Sequence, residues 1–326
     1  MIGVARAAWL MAEVEAAARA HILPLFRHLG DSDVRTKSRP DDLVTQADLA
    51  CEAALTKALA VAWPEALVVG EEAVAADPVL LSRIGASEVA VILDPVDGTW
   101  NFANGLPVFG VIVAVTRFGQ PVWGGIYDPV CDDWVVTGAG EGTQFVARER
   151  SHPLRCGSAS GPLTGYLPFY LFAKEMQPRI AALLPEFGRV ATLRCSAHEY
   201  RMLAQGRVDF VLCAKLMPWD HAAGVLAVRE AGGVARLIDG REYSATLSEG
   251  VMLVARDEKT WEQVAGTFRF LGRGARRGLR LRSLGPAVST GSKRRTATAH
   301  LEPRRQEPLR YSGAPETRPS GQSPRR

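Results

Sequence analysis

The residue types with the clearest chemical meaning lie in the range 89–105, where two aspartates, Asp94 and Asp97, stand three positions apart. Pro95 follows the first of them, and proline fixes φ and donates no backbone hydrogen bond, so a rigid turn is expected here. Such a turn can direct both carboxylates and the Val96 carbonyl at one point. Hard cations such as Mg²⁺ prefer oxygen ligands of this kind.

The residues after the second aspartate suit an anion. Gly98 lets the backbone approach a ligand closely, and the amides of residues 98–101 can begin a helix whose N-terminus faces a negative charge. Oxygen ligands for a metal beside amides for an anion are the components of phosphate-ester chemistry. A short D-P-x-D-G sequence alone would leave a plain turn open. The longer pattern D-P-x-D-G-T-x-N-F, directly after a strand-like apolar run, favours the functional interpretation.

Residues 94–102, D-P-V-D-G-T-W-N-F, resemble the signature of the inositol monophosphatase family, whose members are Mg²⁺-dependent, lithium-sensitive phosphomonoesterases. Two further segments are similar to motifs of that family and occur in its order. They are G-E-E at residues 70–72 and W-D-H-A-A-G at residues 219–224. The resemblance covers residues 8–270.

The resemblance implies a site with two or three Mg²⁺ ions. The implied metal ligands are Glu71, Asp94, the Val96 carbonyl, Asp97 and Asp220. Glu71 and Thr99 would orient and deprotonate the attacking water, and Asp48 would reach the metal cluster through water. The residues implied in binding the phosphate are Val96, Asp97, Gly98, Thr99 and Asp220.

Simpler explanations stay open for several of these acids. Asp48 has capping-box spacing from Thr45 and can serve the helix terminus alone. Two adjacent glutamates usually form a solvated surface, and Asp220 has the place of an N-cap. His198 and His221 are left outside the catalytic set, because a lone histidine at a helix start is more often a packed or capping residue.

The resemblance also bears on the substrate. In the family, a Gly-Ser/Thr-Ala segment and a later acid commonly line the sugar side of the pocket. An ungapped count back from the downstream motif places residues 194–196 on the first and Cys213 on the second. Arg194 and Ser196 thereby become candidate substrate-binding residues.

Arg194 and Lys215 are donors suited to a second anionic group, whereas a cysteine is a weak partner for sugar hydroxyls. We therefore expect a substrate other than myo-inositol 1-phosphate. A solvent-facing Arg194 and a gapped alignment stay open as the alternative. The substrate classes considered are inositol phosphate-like compounds and sugar phosphates, with histidinol phosphate and adenosine 3′,5′-bisphosphate as the alternatives.

The elements that must position these residues follow from the apolar periodicity. A helix is predicted over 3–28, with a kink or an end at Pro24, and a second helix ends near Trp63. Strand-like runs at 108–116, 121–127, 133–137 and 143–146 indicate an antiparallel sheet. The elements predicted beyond Pro153 are helices at 172–184, 197–206, 220–231 and 257–270 and strands at 190–195, 208–214 and 234–238. This mixture indicates an α+β fold, and the resemblance implies a layered αβαβα sandwich.

The charge is unevenly distributed along the 326 residues. Residues 273–326 contain 14 Lys and Arg against 3 Glu, whereas residues 1–272 contain 25 basic and 32 acidic residues. The C-terminal segment lacks apolar periodicity, so it cannot offset its ordering entropy. We expect a catalytic domain over 1–271, with a subdomain change near 150, and a disordered basic tail over 272–326.

Such a tail binds polyanions with little sequence preference, so a polyanion-binding protein is the alternative function. Five scattered cysteines without a C-x-x-C pair indicate reduced thiols. Glu13 and Glu15 interrupt the N-terminal apolar run, and no stretch approaches a membrane span. The sequence therefore predicts a cytoplasmic protein with no membrane partner, and the family resemblance implies a homodimer.

Overall fold

The computed structural model describes residues 2–37, 42–148, 150–157 and 161–274. The outer layer next to the N-terminus consists of two helices, α1 (Val4–Ala17) and α2 (Gln46–Ala62). A short antiparallel pair, β1 (Val34–Thr36) and β2 (Leu43–Thr45), leads into α2. Helix α1 continues into a π-helical turn and then a 3-10 turn that contains Pro24, so the helical segment ends close to the proline.

The larger sheet has seven strands, which lie side by side in their order along the chain. They are β3 (Leu67–Gly70), β4 (Ala90–Asp97), β5 (Gly110–Arg117), β6 (Gln120–Asp128), β7 (Asp133–Gly138), β8 (Gly142–Ala147) and β9 (Arg150–Pro153). Strand β3 runs parallel to β4, and every later pair is antiparallel. Three short helices connect these strands: α3 (Glu71–Ala76), α4 (Leu80–Arg83) and α5 (Thr99–Ala103). The exposed edge strand β9 was not predicted, since its sequence R-S-H-P has no apolar residue to reveal a buried face.

The second sheet has five strands. They are β10 (Thr164–Tyr166), β11 (Arg189–Ala191), β12 (Phe210–Cys213), β13 (Val234–Leu237) and β14 (Met252–Ala255), in the spatial order β11-β10-β12-β14-β13. The helices of this part are α6 (Gln177–Leu183), α7 (Ser196–Ala204), α8 (Pro218–Glu230), α9 (Glu258–Thr267) and α10 (Arg269–Gly274). The strand predicted over 190–195 ends at Ala191, because the chain turns sharply at Arg194, whose φ is 54°.

Three apolar clusters show how these elements are layered. Helices α1 and α2 pack on one face of the large sheet, and α7 and α8 lie between its other face and the small sheet. The far face of the small sheet packs against α6 and α9. Consecutive residues of β4, Val91 and Ile92, belong to different clusters, as expected for a strand that is buried on both faces. The layered αβαβα sandwich is thereby confirmed.

Small residues let the middle layer approach the large sheet closely. A Cβ atom on Gly124 of β6 would lie 2.9 Å from the Cα of Ala223 in α8. A Cβ atom on Gly224 would lie 2.2 Å from the ring of Tyr200 in α7. The small residues of W-D-H-A-A-G therefore let α8 pack closely against both β6 and α7, and this packing fixes the position of the first turn of α8.

Residues 272–274 lie in α10, and the rest of the predicted tail, 275–326, lies outside the described residues, so its disorder stays a prediction. Within the described part of the chain, no helix has the length and apolar character needed to cross a bilayer.

Candidate active site

Three aspartates converge where the second strand of the large sheet, β4, meets the middle helical layer. Asp94 and Asp97 end β4, and Asp220 lies in the first turn of α8. One carboxylate oxygen of each lies within 4.8 Å of the other two. Asp94 is buried, and its Oδ1 atom has no hydrogen-bond partner among the described residues. Because a buried carboxylate oxygen without a partner is costly, this arrangement fits a bound cation.

The electrostatics of the cluster lead to the same conclusion. Burial raises the pKa of Asp94 well above its usual range, and the charges of Glu71 and Asp97 raise it further. Burial and the charge of Asp220 raise the pKa of Asp97 to about 7. Mutual repulsion therefore opposes ionisation of these carboxylates, and a divalent cation would relieve it.

Glu71 begins α3 directly after β3 and lines the same cavity as the three aspartates, which has a volume of about 150 Å³. The Lys37 Nζ atom donates to Oε1 of Glu71 over 2.9 Å and to Oε1 of Glu72 over 2.6 Å. The first glutamate thus lies at the site, as the resemblance implied, but it is held by a lysine that the sequence motifs did not reveal.

Glu52, in α2, binds the first turn of α3, in which Glu71 lies. Its carboxylate accepts hydrogen bonds from the amides of Glu72 (2.9 Å) and Ala73 (2.7 Å) in the first turn of α3. A Cβ atom on Gly70 would lie 2.1 Å from the Glu52 carboxyl carbon, so only glycine permits this approach. Glu52 was not predicted, although its place four residues after Asp48 puts both acids on one helix face.

Asp48 contacts two threonines, Thr45 and Thr99, at the same time. Its Oδ2 atom accepts from the Thr45 amide (2.8 Å), which is one half of the predicted capping box, and also from the Thr45 hydroxyl (2.5 Å). Its Oδ1 atom lies 3.3 Å from the Thr99 hydroxyl, which also lies 3.0 Å from the Val96 carbonyl. Burial raises the pKa of Asp48 to about 7. The helix cap therefore leaves one oxygen of this acid in contact with a residue of the central motif.

Gly98 connects β4 to α5 with a φ of 89°, in the left-handed region that favours glycine. A Cβ atom there would lie 2.9 Å from the Val108 carbonyl oxygen and 3.2 Å from Cys195 Cβ. The backbone at Gly98 and Thr99 lines the cavity. Glycine is thus required by both the turn and the close approach.

Cys195 contacts the cluster directly, which the sequence did not reveal beyond its place in the 194–196 segment. Its Sγ atom lies 3.0 Å from Oδ2 of Asp97, and the Ala197 amide donates to the same oxygen over 2.5 Å. The first residues of α7 and the residue before it therefore hold the Asp97 carboxylate in place. Ser196, the first residue of α7, also lines the cavity.

The cavity is also lined by the residues that the sequence comparison placed on the substrate side. Arg194, Cys213 and Lys215 line the cavity together with Tyr170, which was not predicted. The Arg194 guanidinium lies 4.2 Å from the centroid of the Trp100 ring. Arg194 thus faces the cavity rather than bulk solvent alone.

The two histidines have structural partners. His221 is buried at the cavity wall, with Nε2 at 2.6 Å from the Lys215 carbonyl and Nδ1 at 2.8 Å from the Tyr200 hydroxyl. Because a carbonyl can only accept, Nε2 carries the proton and Nδ1 accepts from the tyrosine. His198 Nε2 lies 3.1 Å from the Phe109 carbonyl and so donates to it.

A sequence profile described as the Inositol monophosphatase family matches residues 7–273. The chain belongs to the inositol monophosphatase family and is an enzyme of the phosphoric monoester hydrolase class.

Individual relatives agree with this assignment. The inositol-1-monophosphatase SuhB of Mycobacterium tuberculosis is 31% identical over 248 residues, which is 74% of this chain and 84% of that protein. A fructose-1,6-bisphosphatase/inositol-1-monophosphatase of Thermotoga maritima is 26% identical over 227 residues, 68% of this chain and 82% of that protein. Among solved structures, the extragenic suppressor protein suhB from Bartonella henselae superposes with a TM-score of 0.64 at 26% identity, covering 80% of this chain and 97% of that one. The Thermotoga maritima IMPase has a TM-score of 0.67 at 20% identity, covering 82% and 100%.

Proposed function

We propose that this chain is a Mg²⁺-dependent phosphomonoesterase that hydrolyses a small phosphorylated alcohol with an activated water molecule. The observation that carries the proposal is the convergence of Asp94, Asp97 and Asp220, together with the buried Oδ1 atom of Asp94, which has no hydrogen-bond partner in the described part of the chain. Family membership supports the same chemistry.

The proposed metal ligands, for two or three Mg²⁺ ions, are Glu71, Asp94, the Val96 carbonyl, Asp97 and Asp220. Oxygen-only ligands of this kind suit Mg²⁺ better than a softer metal. Bound Mg²⁺ would acidify a water molecule and neutralise negative charge that develops on the phosphate and on the leaving oxygen.

The remaining residues act on water and phosphate. Glu71 and Thr99 orient the water. The Thr99 hydroxyl donates to Asp48, so it can accept a hydrogen bond from the water while its own proton passes to the Asp48 carboxylate. The backbone amides of Gly98 and Thr99 hold phosphate oxygens, with Val96, Asp97 and Asp220 close by. Arg194 and Ser196 face the alcohol part of the substrate.

The test is phosphate release over a panel of inositol phosphates, sugar phosphates, histidinol phosphate and adenosine 3′,5′-bisphosphate, with Mg²⁺ or with EDTA. Glu71→Gln and Glu72→Gln form a matched pair, because both glutamates contact Lys37 and only Glu71 is a proposed ligand. We expect the Glu71 variant to lose activity far more than the Glu72 variant. Release that is equal in EDTA, or equal in the two variants, would contradict the proposal.

We also propose that the enzyme is a cytoplasmic homodimer. We further propose that its basic tail makes non-specific polyanion contacts, because residues 273–326 contain 14 basic and 3 acidic residues. Deletion of residues 275–326 should leave the melting temperature and kcat nearly unchanged and weaken salt-dependent retention on a nucleic acid. A large fall in melting temperature would show that the tail contributes to the catalytic domain. Gel filtration with light scattering tests the dimer.

A further inference from the structure

Arg194 is held in place by aromatic rings at the cavity wall. Its guanidinium carbon lies 4.2 Å from the Trp100 ring centroid and 5.5 Å from that of Tyr170. A guanidinium stacked on a ring keeps its N–H groups in its own plane, directed past the ring edge. Stacking therefore orders the side chain through its flat face, whereas an anion would bind at the edge of the guanidinium.

The backbone at this position is also unusual. Arg194 has a φ of 54°, in the left-handed region where a non-glycine residue is strained. Two hydrogen bonds fix the loop at and before Arg194. The Arg194 amide donates to Thr192 Oγ1 (3.1 Å), and buried Glu199 accepts from the Leu193 amide (2.8 Å). A side chain larger than glycine is thus placed at a strained position in a rigid loop and faces the cavity.

The neighbours of Arg194 fix its place relative to the proposed phosphate site. The next residue, Cys195, lies 3.0 Å from the carboxylate of Asp97, a proposed metal ligand. Trp100, on which the guanidinium stacks, follows Thr99 directly. Arg194 therefore borders residues on two sides of the proposed phosphate site, so a group that it binds in this cavity would belong to the same small substrate.

The rest of this wall favours negative charge on the substrate. Lys215 lines the cavity, with Nζ at 3.9 Å from Asp220 Oδ2. Cys213, which takes the place where the family commonly has an acid, is neutral because burial raises the pKa of its thiol to about 12. At the positions assigned to the sugar side, residues 194–196 and Cys213, the chain thus has one cation, Arg194, and no acid, and a second cation, Lys215, lies two residues after Cys213.

We propose that Arg194 is a specificity-determining residue that binds a second anionic group, a phosphate or a carboxylate, on the same small phosphomonoester. This inference rests on the proposed function and adds the class of substrate. A planar guanidinium suits both groups, since each offers two oxygens to its paired N–H donors.

The experiment compares substrates that differ only in the second group. Glucose 1-phosphate is paired with glucose 1,6-bisphosphate, and glycerol 3-phosphate with 3-phosphoglycerate, so one pair tests a phosphate and the other a carboxylate. kcat and KM for phosphate release in Mg²⁺ are measured for wild type, Arg194→Met, Arg194→Lys and Arg189→Met. Arg189 is an exposed arginine of β11 outside the cavity lining, so its variant controls for the loss of one positive charge.

We expect the wild-type enzyme to prefer the doubly anionic member of at least one pair by about tenfold or more in kcat/KM, mainly through KM. Arg194→Met should reduce that preference by about tenfold, Arg194→Lys should retain part of it, and Arg189→Met should keep it. Arg194→Gly, which suits the left-handed backbone, should match the Met variant and excludes misfolding as the cause.

The inference is overturned if wild type shows no preference in either pair, or if Arg194→Met and Arg194→Gly retain the preference. If no compound releases phosphate, the proposed function fails. Calorimetric titration of the same compounds in Mg²⁺ then tests the role of Arg194 in binding without the need for catalysis. Equal affinities of wild type and Arg194→Met for the doubly anionic compounds would contradict that role.

Discussion

The ammonium group of Lys37 lies 2.9 Å from Oε1 of Glu71, so a cation of the protein itself contacts a residue proposed to bind Mg²⁺. Both side chains are less than one fifth exposed, at 17% and 18%. Burial lowers the pKa of Lys37, but attraction to Glu71 and the hydrogen bond to Glu72 outweigh burial, so the amine stays charged.

Removal of this charge should make Mg²⁺ bind more tightly. We expect Lys37→Met to lower the Mg²⁺ concentration at half-saturation by about fivefold, because a competing interaction of about 1 kcal/mol is lost. Lys37→Arg keeps the charge and is the control. Calorimetric Mg²⁺ titration measures the effect, and a higher Mg²⁺ requirement in Lys37→Met would show that the lysine assists metal binding instead.

Glu52 should act as a positioning residue for Glu71. In Glu52→Gln only one oxygen remains to accept the two amides of α3, and the new NH₂ group faces a donor. We expect kcat to fall by about tenfold and the Mg²⁺ requirement to rise, at a stability cost of about 1–2 kcal/mol. Gly70→Ala, which brings a Cβ atom within 2.1 Å of the Glu52 carboxyl carbon, should give the same Mg²⁺ phenotype. If both variants have the same Mg²⁺ requirement as the wild-type enzyme, Glu52 does not position Glu71.

Without metal, the carboxylates should make stability depend on pH. Burial raises the pKa of Asp48 and Asp97 to about 7 and that of Asp94 well above its usual range. Because these values exceed those of the unfolded chain, the folded state binds more protons, and stability falls as the pH rises from about 4 towards 7.

The metal-free protein should therefore melt several degrees lower at pH 8 than at pH 5.5, and Mg²⁺ should restore more stability at pH 8. Asp94→Asn, which removes one of the repelling charges, should raise the metal-free melting temperature at pH 8. Thermal melts with EDTA or Mg²⁺ measure this. A metal-free protein that is more stable at pH 8 would be inconsistent with repulsion in the cluster.

The parts of the site that follow from local sequence were predictable. Asp94 and Asp97 lie in the last half of a strand that begins with apolar residues, and Asp220 lies in the first turn of a helix marked by Pro218 and small residues. Each position therefore follows from a strand end or a helix start. Thr45 and Asp48 likewise form their capping box within one turn. Such contacts depend on short-range geometry, which spacing reveals.

The remaining residues come together only through the tertiary fold. Lys37 meets Glu71 across 34 positions, and Cys195 meets Asp97 across 98. Tyr170 reaches Arg194 from a 3-10 turn with no periodic pattern. Nothing in local spacing encodes these pairs, because sheet order and layer packing determine them.

The central claim is tested most directly by the rate of phosphate release from one accepted substrate, with saturating Mg²⁺ and with EDTA, by wild type and Asp97→Asn. Asp77→Asn, at an exposed position after α3, is the matched control. Loss of a metal ligand and its charge should lower kcat about a thousandfold in Asp97→Asn, while Asp77→Asn stays near wild type and EDTA abolishes release. Turnover near the wild-type rate in Asp97→Asn, or undiminished release in EDTA, would contradict the account.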